Sequence, residues 1–107
     1  MTEPDFLAEC DRVLTAIEDA LDACGADVQS GRTGPVLEIE FEDDSRLIVN
    51  GNAPVREMWV AARAGGFHFR HDGSVWRDTR SGEELFASLS RLVSAQSGQA
   101  VRLSDPG

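Results

Sequence analysis

Apolar residues fall at positions 6, 10, 13, 14, 17, 21 and 24, the i, i+3, i+4, i+7 spacing of one helical face. A helix is therefore predicted over residues 3–24. Thr2 stands where an N-cap belongs, Pro4 and Asp5 suit a first turn, and Gly25 supplies the stop. After a polar stretch around Val28, readable as a weak edge strand, the period drops to two. Leu37, Ile39 and Phe41 alternate with Glu38, Glu40 and Glu42. Asp43-Asp44 turns this strand back into residues 46–50, and Gly51 to Pro54 turn again. Residues 55–63 then place Met58, Val60 and Ala62 on one face and Glu57, Trp59 and Ala61 on the other. Gly65-Gly66 precedes residues 67–70, and Asp72-Gly73 marks a hairpin before residues 74–78. Connections this short exclude crossovers, so these four or five strands are antiparallel. Ser81 and Glu84 have capping-box spacing ahead of Leu85, Phe86, Leu89, Leu92 and Val93, which predicts a second helix stopping near Gly98.

Helix, antiparallel meander, helix is an α+β order. It predicts a two-layer α/β sandwich, both helices packed on one face of the sheet and the other face toward water. One domain over residues 1–107 is expected, and 41% hydrophobic residues with only 4 prolines describe a chain that folds. A net charge of −9 argues against nucleic acid and anionic membranes as partners. No apolar run approaches a membrane span, and MTEPDFLAECD is acidic where a signal peptide is basic and then apolar, so the cytoplasm is the expected compartment. Cys10 and Cys24 share the first predicted helix at a separation beyond disulfide reach and read as reduced thiols.

The sequence lacks the phosphate-binding, dinucleotide, nucleophile-elbow, CxxC and HExxH signatures. His68 and His71 read as surface residues in a hairpin neighbourhood, without the further His or Cys that zinc requires. Charge is more informative, since residues 1–44 carry 13 acids against Arg12 and Arg32. On a helical wheel with Phe6 at zero, Asp11, Glu18 and Asp22 cluster at about 120 to 160°, with Asp19 near about 220°, outside the apolar stripe. Two readings fit this face. It is a solvated acidic surface, or it is a carboxylate ridge that attracts hard cations or a basic protein surface. By strand parity Trp59 lies on the water-facing side with Ile48 and Asn50 near it, where an exposed tryptophan reads as a binding anchor. Trp76 is assigned to the core or its rim.

With TAIEDALD in an acidic first helix, VLEIEF as a strand, LIVNGNAPVREMWVAARAGGFHF and then RSGEELFASLSRLV, the chain resembles the bacterial branch of the frataxin family over nearly its full length. The resemblance implies a non-enzymatic, monomeric regulator of iron-sulfur cluster assembly. Such a protein binds iron (Fe2+/Fe3+) weakly through carboxylates and contacts a cysteine desulfurase and the iron-sulfur scaffold protein. Carried over by position, the ridge selects Glu18, Asp19 and Asp22, with Asp11 and Asp27 as extensions, for metal. Glu18 and Asp22 serve the desulfurase as well, and Asn50, Asn52 and Trp59 fall on the partner-binding sheet positions. The chain departs from the family pattern at Leu7, at Cys24-Gly25-Ala26-Asp27, where relatives carry a His and further acids respectively, and at Asn52 in place of Gln. The first two departures bear on iron capacity more than on docking, and Asn52 is a mild change at the sheet contact. An iron-oxidising or iron-storing protein and a metal-independent acidic adaptor are the alternative readings.

Overall fold

In the computed structural model, which describes residues 1–106, Thr2 opens helix α1 (Glu3–Ala23) with a reciprocal capping box to Asp5. The amphipathic spacing delivers Phe6, Cys10, Val13, Leu14, Ile17 and Leu21 to the core. Gly25 ends the helix with φ at 76°, a conformation that costs other residues a Cβ clash. The chain then forms β1 (Val28–Thr33), β2 (Val36–Phe41), β3 (Arg46–Asn52), β4 (Glu57–Ala62), β5 (Gly65–His71) and β6 (Trp76–Asp78), followed by helix α2 (Leu85–Ser97). The strands make one antiparallel sheet in sequence order. Both helices cover one face, whose alternate residues Leu37, Ile39, Leu47, Val49, Met58, Val60 and Phe69 are buried. Each such side chain contributes about 1.5–3 kcal/mol by leaving water.

The sheet has six strands rather than four or five, because the polar stretch at Val28 pairs along its whole length with β2 and residues 76–78 close the far edge. The third connection is longer than the alternation implied. Residues Ala53–Val55 form a turn of 3-10 helix, Arg56 adopts a left-handed conformation at φ 54°, and β4 begins only at Glu57. The cap of α2 also differs: Glu84, not Ser81, is the N-cap, its carboxylate accepting from the amides of Phe86 and Ala87. A bridge between Arg77 and Glu84 and the left-handed Gly82 hold residues 81–84 out of the helix.

Beyond α2 the chain folds back. Val101 and Leu103 are buried, and the hydroxyls of Ser94 and Ser90 each exchange hydrogen bonds with the backbone of one of them. Arg12 on α1 pairs with Asp105 through two parallel contacts of 3.0 Å, fastening this segment. Trp76 lies in the core, edge-on to Phe6 at 5.8 Å between ring centres.

Candidate functional site

Two surfaces collect the predicted residues. The first is the outward side of α1, where Asp11, Asp19 and Asp22 are exposed and Glu18 is partly buried. The one basic residue of this helix, Arg12, pairs with Glu9 and Asp105, and the cation that the helical pattern does not reveal comes from the sheet. Arg32, at the end of β1, donates to Asp11 and to Thr15 Oγ1 and comes within 3.6 Å of Glu18. Its position on the helix-facing side follows from pairing with Leu37 across β2. Asp19 and Asp22 make no hydrogen bond or ion pair through their side chains among the described residues.

Asp27 follows α1 and precedes β1, its backbone amide donating to Gln99 while its carboxylate is free. It lines a depression of about 440 Å³ together with Glu42 and Asp44, so it joins the acids of the β2–β3 turn. Among the described residues no group of three or more His, Cys, Asp or Glu side chains converges closely enough to hold a metal ion. The donor chemistry fits a hard cation, but the arrangement is an open row rather than a closed cage.

In the second half of the chain every acid is engaged internally. Glu57 bonds Trp59 and Arg70, and Asp72 holds the amides of Ser74 and Val75 and the Arg77 side chain. Asp78 accepts from the amides of Arg80 and Ser81, Glu83 pairs with Arg91, Glu84 caps α2 and Asp105 holds Arg12. The negative field of a chain with net charge −9 is therefore concentrated toward α1 and the adjoining turn.

The second surface is the open face of the sheet. Register places Val36, Asn50, Trp59 and His68 side by side across four strands, with Ile48 opposite Ala61 in the next row. Trp59 is only partly buried, and not largely exposed as the parity argument implied, because the His68 ring stacks on it at 4.5 Å with planes 7° apart. Glu57 lies on this water-facing side yet is buried, covered by its neighbours. Its Oε1 accepts from the Trp59 indole N–H at 3.0 Å and stands 3.6 Å from His68 Nδ1, while Oε2 accepts from Arg70 at 2.6 Å. These hydrogen bonds, the indole's foremost, outweigh burial and hold the Glu57 carboxyl below the usual carboxylate range. Asn52 precedes the 3-10 turn with its Oδ1 buried and unpartnered. His71 is the other departure from a surface reading, packing edge-on against Trp76 at 5.1 Å and lying 3.9 Å from Glu9.

Glu57 and His68 were missed as site residues. The signal was present: Glu57 and Trp59 are two apart on one strand, and the tight turn at Arg63-Ala64 sets His68 opposite Trp59.

The profile of the frataxin-like domain matches residues 1–99. The iron-sulfur cluster assembly protein CyaY of Cupriavidus pinatubonensis is 53% identical over 107 residues, covering 96% of each chain. That of Cupriavidus metallidurans is 54% identical with the same coverage. Among solved structures, frataxin from Psychromonas ingrahamii superposes with a TM-score of 0.91 at 32% identity, over 97% of this chain and 99% of that one.

Proposed function

This chain belongs to the frataxin family, and from that premise we propose that it is a non-enzymatic adaptor of iron-sulfur cluster assembly. The carboxylate row of α1 docks on a basic surface of the cysteine desulfurase, and the Trp59 face meets the scaffold protein. Iron is a weakly held cargo at this row. Asp19 and Asp22 are free to bind it through one or two oxygens with water completing the shell, whereas Arg32 competes at Asp11 and Glu18. The free thiols Cys10 and Cys24 suit the reducing cytoplasm, where this assembly work takes place.

The observation that carries the reading is the division of charge. Acids of the second half are committed to internal contacts, while Asp19 and Asp22 are left on an exposed helix face. A field of this kind steers a basic partner and speeds encounter without requiring a pocket. Capture of a cysteine desulfurase by the immobilised chain, with and without Fe2+, tests the reading. Capture in both conditions supports an adaptor, and failure in both removes it.

A further inference from the structure

We propose that Glu57 is the positioning residue of the docking face, holding the Trp59 indole flat against His68 so that the scaffold protein meets a preformed aromatic plate. This inference rests on the reading that the Trp59 face docks the scaffold.

Glu57 occupies a position that looks wrong for its residue. Glu57 is 7% exposed on the side of the sheet that faces water, and a carboxylate is costly to remove from water unless its oxygens are satisfied. Here two donors satisfy them, the indole N–H and Arg70, and His68 Nδ1 stands 3.6 Å away as a third neighbour. Each of the three comes from the open face, so the carboxylate acts as a hub beneath the plate. It does not tie the sheet to the helices.

A tryptophan on a strand has two free side-chain torsions, and ordering them upon binding opposes association. The 3.0 Å indole bond fixes the ring from its polar edge, while the 4.5 Å stack on His68 fixes its face. Neither contact alone settles the ring, because stacking permits sliding and a single hydrogen bond permits tilting. Arg70, whose side chain is 68% exposed, keeps the second oxygen occupied and so prevents the carboxylate from rotating away from the indole.

The test uses the full chain and the purified iron-sulfur scaffold protein, with Glu57→Ala, Glu57→Gln and Trp59→Ala beside the parent. In the free proteins, the indole Nε1–H resonance and its exchange with solvent report ring placement. Glu57→Ala should shift this resonance, quicken its exchange and weaken scaffold binding roughly tenfold, the loss expected for a hydrogen bond to a charged group. Glu57→Gln keeps an oxygen for the indole and should retain the resonance and bind within about threefold of the parent. An unchanged indole signal in Glu57→Ala overturns the proposal. So does Glu57→Ala binding like the parent when Trp59→Ala binds poorly. Parent-like binding by Trp59→Ala overturns the docking reading instead, and the indole signal still decides whether Glu57 holds the ring.

Discussion

Arg32 on β1 stands 3.6 Å from Glu18 on α1 and donates to Asp11 as well, placing one cation of the sheet edge inside the carboxylate row of the helix. The row is thereby partly neutralised at the end nearer Asp11 and open at Asp19 and Asp22. Arg32→Ala should leave stability within about 1 kcal/mol, because ion pairs still in contact with solvent contribute little. Binding of Mn2+, used as a paramagnetic probe, should tighten, and NMR broadening should spread from Asp19 and Asp22 to Asp11 and Glu18. Broadening centred on His68 and His71 would place the cation elsewhere.

Cys10 lies under the sheet with its Sγ 3.2 Å from Met58 Sδ, and burial first, then the nearby Glu9, pushes its thiol up to about 11. At neutral pH the folded chain should take up one equivalent of iodoacetamide, at the partly buried Cys24, and two after denaturation. Mass spectrometry of the labelled chain gives the count.

Gly51 passes over the same thiol, and a Cβ there would stand 2.9 Å from Cys10 Sγ. Gly51→Ala should destabilise by about 1–3 kcal/mol, as overpacking does. Adding Cys10→Ala removes the obstructing sulfur, so the double variant should lose less than the sum of the single losses in urea unfolding.

Leu103 is 3% exposed although it lies outside every helix and strand. Leu103→Ala should cost about 2–4 kcal/mol in urea unfolding, the range for a buried leucine, without altering desulfurase binding.

Asp43 and Asp72 both fall from the ordinary 3.8 to about 2. For Asp43 the main cause is hydrogen bonding from Ser45, and for Asp72 it is the Val75 amide, then Arg77. A carboxyl depressed in the folded state favours folding above its unfolded value and loses that effect as pH falls through the folded one. Thermal stability should therefore decline between pH 3.8 and about 2, and Asp72→Asn should flatten part of the decline. An equally steep decline in Asp72→Asn would contradict this assignment.

Much of this architecture is legible in the sequence because period and punctuation agree. The 3.6 spacing from Phe6 to Leu21 and the alternation from Leu37 to Phe41 each settle which side faces the core, and the Asp72-Gly73 turn lies where the chain reverses. What period cannot supply is who stands opposite. Arg32 reads as a lone residue of a polar stretch until β1 pairs with β2, and Glu57 reads as solvated until β5 lays His68 and Arg70 beside it. Ser81 fits a cap by spacing, but spacing ignores the Arg77–Glu84 bridge and the left-handed Gly82, which hold residues 81–84 out of the helix. Val101 and Leu103 show no periodic pattern because two apolar residues on an irregular segment are anchored by serines of α2.

Binding to a cysteine desulfurase is proposed to be localised on the carboxylate row of α1. Its most direct test is the association rate and affinity for a cysteine desulfurase at about 0.15 M salt, measured for Glu18→Lys/Asp22→Lys. Its control replaces exposed Ala64, Ala87, Ala95 and Ala100 with lysine, which moves the net charge of −9 by the same four units on other surfaces. The double reversal should nearly abolish binding while keeping the fold, and the control should associate within a few-fold of the parent. Equal loss in both variants, or parent-like binding by the double reversal, would contradict a localised row.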